Sequence, residues 1–453
     1  MGNTLIDGAL IVTMDPDRRV IQNGAVVIGG EQILAVGKSD RVKSDFTYTD
    51  RMDATDKVVL PGFIDTHVHL SEHICRSLIP DDAEDWMPNW LMPIYANLSA
   101  EDEYYASLLA CIEMVRSGTT TFCEAGTCIH PAAAAKAMQQ VGIRGILGRW
   151  TWDLRPEPIS LKQSTDAALE NNAKLIDYIA RLNHNRIRCW PLVLGMDTAS
   201  DELLIGAKQL ADSQGLGLGF MHASNIPSME TVDTMRSLRH FADLGVLDRN
   251  VKITHMVYTD DEDLDLLQRY EVKVAHCPTA AMKHCKGISK FGRFPEMKSA
   301  GISVSLGADS ANGSDHVNML RIIHLVAQIF KDSHRDYRVF PAETVLEMAT
   351  LDGAEALLMK DSIGSIEVGK NADLIIFDRH HPEWHPLLNV AGSLVYAVTD
   401  RSIDSVFIAG EKVLDQGRMV KIDEQEVYEN VDRLSLKLMD RAGVRPVLKW
   451  PLS

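Results

Sequence analysis

The stretch LPGFIDTHVH (60–69) ends an apolar run with two histidines, His67 and His69, one residue apart. A β-strand turns alternate side chains to opposite faces, so residues i and i+2 point the same way. Two imidazoles placed like this at a strand end can grip one metal ion. Four more apolar runs end in the same manner: LGLGFMH at His222, VKITHM at His255, VKVAHC at His276 and ISVSLGAD at Asp309. One histidine at a strand end is ordinary in a chain that holds 16 of them. Five histidines and an aspartate at matching ends of five strands form a pattern that chance explains poorly.

Imidazole nitrogen and carboxylate oxygen suit zinc, iron or a similar divalent ion, and a catalytic site keeps one position open for water. Such an ion lowers the pKa of its water towards about 7, making hydroxide available at neutral pH. The residues therefore point to His67, His69, His222 and Asp309 as metal ligands. Asp309 is also placed to accept the nucleophile's proton and return it to the leaving group. His255 either orients the water or completes the coordination shell, and the sequence leaves both roles open.

The elements that must carry these residues are eight largely apolar runs of strand length: 58–69, 118–126, 142–150, 186–195, 216–222, 251–256, 272–277 and 302–309. Amphipathic segments such as AEDEYYASLLACIEMVRSG and AALENNAKLIDYIARLNHN lie between them. Parallel strands buried on both faces predict a (β/α)8 TIM-like barrel over 58–362, with the site at its C-terminal mouth. A doubly wound open sheet is the competing α/β architecture. Short alternating runs at both ends (GALIVTM, GAVVIGGEQILAVG, IGSIEVGKNADLIIFD, DSVFIAGEKVLDQG) predict a small β domain assembled from 1–57 and 363–420. A helical tail follows over 421–453.

Composition narrows the partners. The chain has 453 residues, 45% hydrophobic and 24% charged, with 46 basic against 63 acidic side chains for a formal charge of −17. That balance argues against nucleic acid or an anionic membrane surface and leaves a small molecule. Seven scattered cysteines without a C-x-x-C pair fit a reduced, cytoplasmic setting. CEAGTC (123–128) matches no common metal spacing. The N-terminus lacks the basic region of a signal peptide, and Ile6 stands where a myristoylation motif wants Ser or Thr. No apolar stretch reaches the roughly 18 residues needed to span a bilayer.

Taken together, PGFIDTHVH, HMV at 255, AHCPTAAM, SLGADSANGSDHVNM and IGSIEVGKNADLIIFD resemble the amidohydrolase superfamily. The branch they resemble holds cytosine-type and adenosylhomocysteine-type deaminases and the triazine hydrolases, and the likeness runs from about residue 5 to 420. The resemblance implies a metal-bearing (β/α)8 barrel, a β-sandwich built from both termini, and hydrolytic displacement at an sp2 carbon. Relatives with two metals bridge them by a carboxylated lysine ending the fourth strand. RIRCWPLVLGMD offers none, which implies one divalent ion per subunit, zinc foremost, with iron, cobalt or manganese as substitutes. Association of identical subunits is likewise an expectation taken from the family.

Two departures bear on the substrate. Many deaminases of this branch carry a glutamate three residues after the fifth-strand histidine to protonate the ring; here HASN places Asn225 there. Glu72 in HLSEH or Asp197 in GMDTAS could replace it, or a urea, carbamate or thiocarbamate substrate could need no such acid. Adenosylhomocysteine-type deaminases use a glutamate on the ribose hydroxyls near the position of Tyr95, which disfavours a nucleoside. Trp86, Trp90 and Tyr95 suit an aromatic wall over a flat ligand, and His276 is expected to face it. The basic KHCKGISKFGRF (283–294) reads as a lid, and the histidine-rich RHHPEWHP (379–386) as a loop. The resulting expectation is a metal-dependent aminohydrolase acting on a small N-heterocycle. Its rivals are a hydrolase that expels an alkylamine, arylamine, thiol or halide, and a non-enzymatic scaffold, which would have no use for an open metal site.

Overall fold

The computed structural model describes residues 2–83, 85–154, 158–195, 198–222 and 237–450. The apolar run at 58–69 forms two strands rather than one. Lys57–Pro61 joins a sheet made by the chain ends, while Phe63–His69 opens the barrel. The first of the two belongs to the end sheet because the backbone of Leu60 pairs with Ile375. All seven residues of Phe63–His69 are buried, as a strand covered on both faces requires.

Thr119–Glu124, Arg144–Leu147 and Ile187–Cys189 follow in order, each parallel to its predecessor. The fourth strand position is interrupted at Pro191, which has no N–H to donate. It resumes as Leu192–Val193 beside Leu218–His222. Val251–His255, Lys273–His276 and Val304–Leu306 continue the parallel order. The eighth position is likewise broken at Gly307 and resumes as Asp309–Ser310, which pairs with the first strand and closes the ring. A Cβ on Gly307 would lie 2.9 Å from His67 Cβ and 3.0 Å from Cys277 Sγ, so only a residue without a side chain permits this approach.

Helices between the strands begin on side-chain caps. Ser99 and Asp102 form a capping box at Ala100–Arg116, Ser164 caps Thr165–Leu182 and Ser200 caps Asp201–Ser213. These caps satisfy the first amide donors of each helix. The architecture is a TIM-like α/β barrel, and no described helix is long and apolar enough to cross a membrane.

Nine strands from the two ends of the chain share one mixed sheet, with Lys57–Pro61 between Thr4–Val12 and Leu374–Asp378. Alternation divides their side chains between two cores. Val58, Leu60, Ile375 and Phe377 pack with the barrel, whereas Val59, Leu374 and Ile376 pack on the far face with Ile6 and Ile11. One buried ion pair pins sheet to barrel: Arg144 Nε and Nη2 donate to Asp373 at 3.0 and 3.1 Å, and Ala409 N donates to the same carboxylate at 2.7 Å. The helix Glu424–Ala442 buries Val427, Val431, Leu434 and Leu438 and bonds through Arg441 to Asp102.

Asp373→Ala leaves the buried guanidinium of Arg144 without a counter-charge. The expected cost is about 3–5 kcal/mol, read as a lowered denaturation midpoint; a shift within about 0.5 kcal/mol would show that the pair does not hold sheet and barrel together.

Candidate metal centre

Three of the four expected ligands, His67, His69 and Asp309, meet where the eighth strand closes on the first. Pairing of Asp309 with Val68 and of Ser310 with His69 carries the Asp309 carboxylate to the first-strand histidines. Its Oδ1 lies 3.2 Å from His69 Nε2 and 3.9 Å from His67 Nε2. The donor atoms of His67, His69 and Asp309 fall within 4.8 Å of one another. His255 Nε2 is 3.9 Å from Oδ2 of the same carboxylate, and its ring centre is 5.7 Å from that of His67. All four side chains are buried.

Both first-strand imidazoles are held from behind. The Thr254 hydroxyl is 3.2 Å from His67 Nδ1, and His69 Nδ1 lies 3.1 Å from Thr127 Oγ1 and 3.3 Å from Glu72 Oε1. His67 Nε2 is buried and has no hydrogen-bond partner. A bare imidazole nitrogen facing a second imidazole and a carboxylate, with the opposite nitrogens engaged, is the donor set of a divalent cation. The residues fit such an ion.

Electrostatics agree with this arrangement. Burial, the largest influence, drives His67 well below the usual imidazole value and takes His255 down to about 3, so both are neutral donors. Burial opposes charge on His69 too, but the carboxylates of Glu72 and Asp309 outweigh it and raise that ring to about 9. Asp309 would be raised by its burial, yet the hydrogen bond to His69 and the facing rings of His255 and His67 hold it well below the carboxylate range.

Strand alternation alone does not deliver this convergence. His222 and His255 are paired in register. His222 shares the face of Phe220, and both rings lie against Phe241, at 5.3 and 5.1 Å. The backbone is left-handed at His255, with φ of 79° there and 48° at Met256. Asp309 has φ of 67°. Left-handed conformations at residues other than glycine are costly and cluster where a site re-aims its side chains.

The other expected residues fall in distinct places. The groups within 4.8 Å among the described residues do not include His222. His276 is buried with neither ring nitrogen hydrogen-bonded, its ring 3.7 Å from that of Phe294 and 5.7 Å from that of Phe330. Trp86 stacks on His284 with ring centres 4.6 Å apart. Tyr95 is buried against Trp150, and its hydroxyl donates to Glu72 Oε1 at 2.7 Å. Asn225 and Asp197 lie outside the described residues.

Three contributors escaped the sequence reading. Cys277 Sγ joins His255 and Asp309 within 4.8 Å, and burial keeps its thiol protonated by raising it well above the ordinary value. Glu124, last residue of the second strand, accepts from Gly126 N and Thr127 Oγ1 at 2.6 and 2.7 Å. Thr254 supports His67. Glu124 had a legible signal, since it too ends a barrel strand.

The amidohydrolase family pattern matches residues 58–413. A 5-methylthioadenosine/S-adenosylhomocysteine deaminase of Thermoanaerobacter pseudethanolicus is 32% identical over 451 residues, covering 97% of this chain and 100% of the relative. A 5'-deoxyadenosine deaminase of Methanosarcina acetivorans is 30% identical over 450 residues, covering 98% and 100%. In fold, an adenosine deaminase from Xanthomonas campestris with bound zinc superposes with a TM-score of 0.90 at 24% identity, covering 96% of this chain and 98% of that one. The family match spans most of the chain and includes every residue of the cluster above. This chain belongs to the amidohydrolase family and is a metal-dependent hydrolase of the deaminase type, acting on carbon–nitrogen bonds other than peptide bonds.

Proposed function

We propose that the chain removes an exocyclic amino group from a small N-heterocycle by hydrolysis and releases ammonia. The observation that carries the reading is the approach of two imidazole Nε2 atoms to one carboxylate oxygen, one of them buried without a hydrogen-bond partner. The proposed holders of the ion are His67, His69 and Asp309, with His222, the register neighbour of His255, as the fourth. One zinc ion per subunit is proposed: the nitrogen and oxygen donors suit it, and the fourth strand carries no lysine in Ile187–Cys189 or Leu192–Val193.

What a divalent ion supplies in such a site is Lewis acidity, which lowers the pKa of a water nucleophile. The residues manage the rest. The Asp309 carboxylate takes the proton of the attacking water and delivers it to the departing nitrogen. Oxygen bonds to the ring carbon, the carbon–nitrogen bond breaks, and ammonia leaves. His255, neutral and close to Asp309, orients the water. His276 and Asn225 position the ring and Trp86 covers it. Adenine-type rings come first among the candidates, a choice supported by the likeness to the two nucleoside deaminases. Free cysteines, six of the seven buried, support a reducing cytoplasmic setting, and a homo-oligomer is proposed on the family likeness. The nine-stranded sheet is proposed as the core of the small β-sandwich unit, with the helical segment from 421 onward bracing the barrel.

The test is a metal-loaded sample screened against adenine nucleosides, aminopyrimidines, pterins and aminotriazines, with ammonia measured beside substrate loss. Equal amounts are expected; loss of substrate without ammonia would replace the deaminase reading with expulsion of another leaving group.

A second measurement separates the two register-paired histidines. His222→Ala is expected to lower bound metal to below about a tenth of the wild-type content, on the loss of one of four ligands. His255→Ala should keep its metal and lose about 10²–10⁴-fold in kcat. Metal retained by the His222 variant and lost by the His255 variant would exchange their roles.

A further inference from the structure

Behind His69 lies a buried polar cluster that the reaction itself does not use. Glu72 sits in the short turn Ser71–Cys75 that follows the first barrel strand, and it is only 2% exposed. Its carboxylate is met from three directions. Tyr95, in helix Met92–Asn97, donates its hydroxyl to Oε1 at 2.7 Å. Asn312, in the loop after Asp309, donates Nδ2 to Oε2 at 3.3 Å and also contacts Cys75 Sγ at 3.1 Å. His69 Nδ1 is 3.3 Å from Oε1.

We propose that Glu72 is a positioning residue for His69, and that Tyr95 and Asn312 clamp Glu72, so that this cluster sets metal affinity instead of touching substrate. The proposal rests on the reading of His69 as a metal ligand. The proton inventory supports it. Thr127 spends its hydroxyl hydrogen on Glu124 Oε1 at 2.7 Å, so towards His69 Nδ1, 3.1 Å away, it acts as an acceptor. Glu72 is also an acceptor. An acceptor on this ring nitrogen requires it to carry the hydrogen, a placement that the Glu72 carboxylate 3.3 Å away also favours, and Nε2 is left for the ion. A carboxylate on the far nitrogen also makes an imidazole a better donor.

The clamp explains why Tyr95 is buried. Its hydroxyl is committed to Glu72 and its ring to Trp150, 4.9 Å away between centres. Glu72 in turn links the turn after the first strand, helix Met92–Asn97 and the loop after the eighth strand. Both segments that deliver ligands to the seam are therefore tied to the same carboxylate.

The test measures zinc affinity by competition with a chromophoric chelator on wild type, Glu72→Gln, Tyr95→Phe and the double variant. Metal-saturated kinetics are measured in parallel. The glutamine variant keeps the volume but can no longer accept from all three donors, and about 10–100-fold weaker zinc binding is expected. Tyr95→Phe should shift affinity in the same direction by less. The double variant should bind about as tightly as Glu72→Gln alone, because both changes act through one contact. With zinc saturating, KM should match wild type. Zinc affinity within twofold of wild type in both single variants would overturn the proposal, as would a changed KM with unchanged affinity, which would make Glu72 a substrate contact. Should Glu72→Gln fail to fold, Tyr95→Phe decides alone: weakened zinc binding supports the clamp, and unchanged binding overturns it. A wild-type protein that takes up no stoichiometric zinc would instead defeat the underlying metal reading.

Discussion

Asp309 reaches His67 and His69 only because the eighth strand closes against the first, and that closure passes through a residue with no side chain. Gly307 lets the two backbones approach where any Cβ would press on His67 and Cys277. Beyond it, pairing of Asp309 with Val68 resumes the ladder, and the carboxylate comes within 4 Å of the first-strand Nε2 atoms. The same seam therefore completes the barrel and assembles the site. A barrel left open here would lose both its hydrogen bonds and its chemistry.

Burying a charged group is costly unless it is paired. At this mouth the partners are arranged in two shells. Inner nitrogens and oxygens face one another across the space an ion would fill. The outer nitrogens of His67 and His69 rest on Thr254, Thr127 and Glu72, and the outer carboxylates rest on Tyr95, Asn312 and backbone amides. Rotating an imidazole away from the centre would break its outer bond, so the outer shell converts a set of flexible side chains into a fixed donor geometry.

The rest of the molecule restrains the barrel from outside. The end sheet shares its alternate residues with the barrel core, Arg144 and Asp373 join the two without exposing either charge, and the last helix lies on Ala100–Arg116 and bonds to Asp102 at its cap. Asp102 thus serves both the helix N-terminus and the C-terminal helix. At the mouth His255, Met256 and Asp309 occupy left-handed backbone conformations, and the surrounding packing maintains them.

How much of this was legible beforehand varied with the kind of information involved. Strand identity, barrel class and the residues at the strand ends could be read directly, because buried parallel strands need continuous apolar runs and because a strand end is a fixed place in a chain. The HxH pair pointed inward for the simple reason that its period matches the strand. Direction at the other ends could not be read. His222 and His255 occupy equivalent register positions, yet the His222 ring lies against Phe241 while His255 Nε2 comes to 3.9 Å from the Asp309 carboxylate. Glu72 and Tyr95 were visible as polar and aromatic residues near the site, but their contact spans 23 residues, and nothing local predicts it. The division of 58–69 into two strands likewise depended on Leu374–Asp378, some three hundred residues on. Sequence by itself determined which chemistry the chain could hold, because residue type and local period are written in order. Which side chains meet was decided only by the tertiary structure, because backbone turns and contacts between distant segments follow from packing the whole chain at once.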